Sequence, residues 1–114
     1  NKKYGLGSTT PQEMVQLLEM LEAGKLEGSR EMLEILKRQQ DNTGMQRKLG
    51  KYTVASKSGA LDHLRSDVGI VYTKSGPIAM AITVEDLPGI DYGPDNPGLW
   101  VLADLAAAIV KAWE

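Results

Sequence analysis

An α+β fold, a three-stranded antiparallel sheet with flanking helices, is predicted by three observations. Capped helical periodicity fills residues 10–40. Three β-rich runs separated by turn signals fill residues 52–85. A last helical stripe follows at 97–113. The 114 residues suffice for one domain and are too few for two, so residues 1–114 read as one unit.

Residues 1–9 are polar and glycine-punctuated and read as a loop. Thr10 is the expected N-cap of the first helix. Pro11 takes the first helical position, and Glu13 completes a capping box. Met14, Val15, Leu17, Leu18 and Leu21 follow helical spacing, and Gly24 stops the helix. Ser29 is the expected cap of a second helix running to about Gln40, with Met32, Leu33, Ile35 and Leu36 as its buried stripe. The two helices read as an αα-hairpin.

Asp41 to Gly44 is a turn cluster, and Met45 to Leu49 has room for one helical turn. Tyr52 to Lys57 reads as a short strand ending in Lys57-Ser58-Gly59, followed by a linker over 59–64. Arg65–Thr73 is a second strand, and Lys74 to Pro77 a hairpin turn. The third strand, Ile78–Val84, is almost continuously apolar, the pattern of a strand covered on both faces. Glu85 to Asn96 is a loop. Its Asp86, Asp91 and Asp95 lack the alternating oxygen spacing of a calcium site. Asn96 or Asp95 then caps a helix with Pro97 in its first turn. Its stripe is Leu99, Leu102, Leu105, Ala106, Ile109 and Trp113.

Composition narrows the chemistry. Cysteine is absent, which excludes disulfides, thiolate metal sites and cysteine nucleophiles. His63 is the single histidine, so a multi-histidine metal site is impossible. No basic run or basic helix face offers a nucleic-acid surface, and no apolar run approaches membrane-spanning length. Neither nucleic acid nor membrane is expected as a partner. The start, Asn1-Lys2-Lys3 without methionine, looks like a processed or excised segment or an artificial boundary.

A cation, a hydroxyl and a bare backbone sit side by side in Lys57-Ser58-Gly59. Taken alone, that tripeptide is a common loop sequence. Its setting gives it meaning. Ser8 to Met14 opens a helix with Thr9-Thr10-Pro11, Glu19 to Leu26 ends it, and Lys57-Ser58-Gly59-Ala60 is followed by a strand Ser66–Tyr72. Asp95 to Leu99 opens the last helix. In these features the chain resembles the serine β-lactamase-like hydrolases, in the branch nearest class A β-lactamases, over nearly its whole length.

The resemblance implies an acyl-serine hydrolase without cofactor or metal, acting on a β-lactam or peptidoglycan-like substrate, and an exported, periplasmic or secreted parent. It implies that Lys57 supplies positive potential to the substrate carboxylate and the proton-transfer network. Ser58 would hydrogen-bond that carboxylate, and Gly59 would let substrate lie along the strand. The Ala60 backbone N–H would be one of two oxyanion-hole donors. Arg65 is a further candidate carboxylate anchor. The family's Ser-x-x-Lys, Ser-Asp-Asn and deacylating glutamate are missing, and Ser66-Asp67 is followed by Val68. The chain is therefore expected to be the C-terminal portion of such a domain, inactive alone. Its strand 78–84 is expected to pair with the missing N-terminal portion or with a second copy. A D,D-peptidase or other amide or ester hydrolase, or a non-catalytic interaction module, are the competing readings.

Overall fold

The computed structural model describes residues 3 and 5–114. The loop expected over 1–9 extends to Asn1, Lys2 and Tyr4, which lie outside the described residues. The elements run α1 (Pro11–Glu22), α2 (Ser29–Lys37), a 3₁₀ turn (Met45–Lys48), β1 (Thr53–Leu61), β2 (Leu64–Thr73), β3 (Gly76–Val84) and α3 (Pro97–Trp113). The strands form one antiparallel meander in the order β1-β2-β3, as the sequence predicts.

Local chemistry explains α1 directly. The Glu13 N–H donates to Thr10 Oγ1 at 3.2 Å, and the Thr10 N–H donates to Glu13 Oε1 at 2.9 Å. The capping box is thus closed both ways. At the second helix the expected cap moves by one residue. Gly28, at φ 80°, is the N-cap, and Ser29 is the first helical residue. The Ser29 hydroxyl is spent on the preceding turn, donating to Leu26 O at 2.6 Å and accepting from Leu26 N. The helix also stops at Lys37, short of Gln40. Its stripe is narrower than expected, since Leu33 is buried while Met32 and Ile35 are 41% and 60% exposed.

The helices cover both sheet faces. Leu18, Leu21 and Leu33 pack on Ala55 and Ile70. On the other face α3 and the 3₁₀ turn pack Met45, Leu49, Leu102, Ala106 and Val110 against Val54, Val71, Met80 and Ile82. This double covering is what the apolar run of β3 requires. Asn96 is the α3 cap, its Oδ1 accepting from Gly98 N at 2.7 Å. Leu105 and Trp113, expected inward, are exposed, while Ala103 and Val110 take the buried stripe. Of the α3 side chains, Leu102, Ala106 and Val110 pack against the sheet.

Strand β1 does not end at Lys57. It runs on to Leu61, and Asp62-His63 makes a two-residue turn to Leu64. The ladder to β2 holds Ser58 and Gly59 extended despite the weak strand preference of glycine. Lys57-Ser58-Gly59 therefore lies within an edge strand, and the linker expected over 59–64 is mostly strand.

Candidate functional site

A two-residue turn closes on a hydrogen-bonded pair, here Leu61 with Leu64. Such pairs alternate along an antiparallel ladder. Gly59 and Lys57 thus bond inward to β2, while Ser58 and Ala60 direct their N–H and C=O groups to the open edge. The same parity carries across the sheet to β3, where Pro77 falls at an outward position and lacks only an N–H that no neighbour among the described residues needs.

Side chains alternate as well. Lys57 and Gly59 face the α1–α2 side, with Val68 and Ser66 as their cross-strand partners. There the sheet and the start of α1 enclose a cleft of about 260 Å³, lined by Lys57, Gly59, Ser66 and Thr83 from the sheet and Pro11 and Met14 from α1; Ser58 also borders it. The Lys57 amine is exposed and donates to the Ser58 carbonyl, which places the charge on the free edge. Gly59 has open space except toward Ser66, whose Oγ would lie 3.0 Å from an added Cβ. A larger hollow of about 490 Å³ by the hairpin tip and one of about 280 Å³ between the helices and Tyr72 do not combine a cation with a free strand edge.

Beneath β1, on the α3 side, lies a polar layer that sequence reasoning did not single out. Asp67 is the cross-strand partner of Ser58 and is buried. Its Oδ2 accepts from Met45 N at 2.9 Å. A Cβ on Gly44 would lie 2.2 Å from that oxygen, so only glycine lets the loop close over it. Desolvation dominates here and raises the Asp67 carboxyl to about 6, against the bond from Met45 and with the nearby Asp41 charge. Asp41 is held below its usual range, first by the Thr43 hydroxyl, at 2.7 Å, and then by the Thr43 amide. Ser56 accepts from Gln46 Nε2 at 3.0 Å. It lies opposite Gly69, where a Cβ would meet Ala55 O at 2.7 Å and Ser56 Cβ at 2.8 Å.

The structure therefore brings Lys57 and Gly59 together at one cleft, with the Ala60 N–H next along the same edge; Ser58 borders the cleft, but its side chain alternates to the α3 side, where it faces Asp67 and Asp41. The fold does not bring Arg65 to the cleft. Arg65 lies on the opposite face of the sheet, 3% exposed. Its NH1 donates to Leu61 O at 2.5 Å and Leu64 O at 2.7 Å, and its NH2 donates to Asp91 O. Buried and with its donors taken by three backbone carbonyls, the guanidinium is not available to a carboxylate in the cleft. Ser66 and Thr83 lie there instead. Strand alternation could have found them once the turn at Asp62-His63 was fixed. His63 is exposed, and its ring Nδ1 is 2.7 Å from Leu87 O, a contact that pins the following loop. The described residues contain no cluster of three or more His, Asp or Glu that could hold a metal ion, and no helix among them is long and apolar enough to cross a membrane.

The sequence profile of the beta-lactamase enzyme family matches residues 1–113. No curated protein matches the sequence. Among solved structures, a beta-lactamase from Sphaerobacter thermophilus superposes with a TM-score of 0.80 at 25% identity, covering 92% of this chain and 40% of that one. PBP-A superposes at 0.78 with 23% identity, covering 96% and 41%. A class A beta-lactamase from Mycobacterium abscessus does so at 0.73 with 24% identity, covering 92% and 42%. The chain thus spans 40–42% of the length of these structures.

Proposed function

Because this chain belongs to the beta-lactamase enzyme family, we propose that it supplies the substrate-binding strand of a serine hydrolase that opens β-lactams through an acyl-serine intermediate. The observation that carries this reading is the β1 edge. Along it follow a cation at Lys57, a hydroxyl at Ser58, a side-chain-free position at Gly59 and an outward N–H at Ala60, beside a cleft.

Each position has a distinct task. Lys57 attracts the substrate carboxylate and favours the anionic forms of groups that exchange protons during acyl transfer. Ser58, at the border of the cleft, donates a hydrogen bond to that carboxylate once its hydroxyl turns from the Asp41 side to the strand edge. Gly59 lets the acyl side of the substrate lie against the strand as an added strand would. The Ala60 N–H then points where the carbonyl oxygen gains charge at the tetrahedral stage, a donor of the kind whose loss costs roughly 10²–10³ in turnover. No serine in this sequence stands at Ser-x-x-Lys spacing, so the nucleophile comes from residues outside these 114. The parent is an exported protein. A D,D-peptidase or another amide or ester hydrolase of the same fold is the competing reading and differs in substrate.

The test is turnover of a chromogenic β-lactam by the chain alone and by the complete hydrolase. The chain alone gives no hydrolysis and no acyl adduct by mass spectrometry, while the complete hydrolase gives both. An acyl adduct on the 114-residue chain would overturn the assignment of the nucleophile elsewhere. A complete hydrolase that acylates with peptidoglycan-like peptides but not with β-lactams would change the substrate class.

A further inference from the structure

The tip of the β1–β2 hairpin is fastened to the loop that follows β3. The His63 carbonyl accepts from Leu87 N at 3.0 Å, the His63 ring meets Leu87 O, and Tyr92 OH donates to Asp62 at 2.7 Å. Arg65 is at the centre of this clasp. Three of its donor contacts go to backbone carbonyls, two on the hairpin tip and one on Asp91. The Tyr92 ring lies 4.7 Å from its guanidinium carbon, and Asn96 Nδ2 reaches the same Asp91 carbonyl at 2.8 Å. Gly98 admits the arginine stem, since a Cβ there would lie 3.3 Å from Arg65 Cγ and 2.9 Å from Leu87 Cδ1.

Ala60 pairs with Arg65 in a position where the two share no backbone bonds. The Ala60 N–H shares its peptide plane with the Gly59 carbonyl, which bonds inward to Ser66, and the Leu61–Leu64 pair holds the strand on its other side, so both neighbouring pairs set its direction. We propose that Arg65 is a positioning residue for the Ala60 amide: by holding the Leu61 and Leu64 carbonyls against the Asp91 loop, it fixes where that N–H points along the substrate edge. The link to catalysis rests on the reading of Ala60 as an oxyanion donor. The positioning itself rests on the geometry. Arginine suits the task because its planar fork reaches several carbonyls at once and remains charged when buried, whereas lysine offers a single point of attachment.

The test has two arms. In the ¹⁵N-labelled chain, the order parameter of the Ala60 N–H falls from about 0.85 to below about 0.6 in Arg65→Met, while Val54 on the same strand is unchanged. Arg65→Lys gives an intermediate value and carries the test where Arg65→Met fails to fold. In the complete hydrolase, the lysine variant lowers kcat by up to roughly 10²-fold, the range of a lost oxyanion donor, with KM held within about twofold for carboxylate-bearing and carboxyl-esterified β-lactams alike. An unchanged Ala60 order parameter in the variants overturns the proposal. So does a rise in KM confined to carboxylate-bearing substrates with kcat preserved, which is the signature of a carboxylate anchor. A wild-type hydrolase without any turnover refutes the parent reading instead, and the order parameter then decides alone whether Arg65 positions this amide.

Discussion

Asp67 should make this chain less stable as the pH rises from 4 to 7, the opposite of a salt-bridged carboxylate. Its folded carboxyl titrates at about 6 against an ordinary 3.8, chiefly because it is buried beneath Gly44 and Met45. A raised folded value means that the folded state holds the proton more tightly. The contribution is complete below about pH 4 and is lost as the pH climbs through 6. Moving the titration from 3.8 to about 6 amounts to about 3 kcal/mol. Asp67→Asn keeps an acceptor for the Met45 N–H and removes the charge, so its stability has no such slope. Urea unfolding of both proteins at pH 4, 5, 6 and 7 gives the comparison. The asparagine variant gains about 3 kcal/mol on the wild type between pH 4 and 7, on the order of 10 °C in Tm. Parallel stability curves for the two proteins would refute the reasoning, because no other change separates them. A smaller crossing with the same sign would mean that water reaches the carboxyl.

Three further outcomes test other parts of the structure. Gly69→Ala forces a Cβ against Ala55 O at 2.7 Å and Ser56 Cβ at 2.8 Å, and should cost about 1–3 kcal/mol in urea unfolding, since the obstacles are strand backbone and a short side chain. Gly59→Ala meets only Ser66 Oγ, at 3.0 Å; stability should shift by less than about 1 kcal/mol, while β-lactam turnover by the complete hydrolase falls at least tenfold, and full activity would remove Gly59 from the binding edge. Ala81 has outward backbone on β3, and among the described residues nothing bonds to it. We expect that edge to receive a strand from the rest of the hydrolase. Ala81→Pro removes only the outward N–H, so it should block assembly of the chain with the remaining portion in sedimentation experiments while the chain still folds. A dimer of the chain alone that the same substitution dissolves would assign the edge to a second copy.

Much of the fold is legible because its signals are local. Thr10, Pro11 and Glu13 specify the start of α1 within four residues, and the cap forms as read. The alternation and apolar runs of β2 and β3 mark strands wherever the chain places them. The misread positions share a cause. Ser29 has the right chemistry for a cap, but its hydroxyl is claimed by Leu26, and Gly28 can take the left-handed conformation the link requires. Gly59 reads as a strand end, yet nine pairs with β2 keep β1 extended through it. Met32 and Ile35 repeat at helical spacing but flank the stripe that reaches the sheet.

The candidate site divides along the same line. The sequence by itself determined which chemical groups are present: the Lys57-Ser58-Gly59-Ala60 run, its strand character, and no serine at Ser-x-x-Lys spacing. Tertiary structure decided which of them face one another. The two-residue turn at Asp62-His63 sets the parity of β2, and parity sends Arg65 to the buried face and Ser66 to the cleft. It also places Asp67 beside Ser58, where the closing loop strips its water away and raises its carboxyl. Charge and hydroxyl chemistry belong to single residues and survive in any conformation. Burial, register and desolvation belong to pairs of distant segments, and they exist only once the sheet has closed.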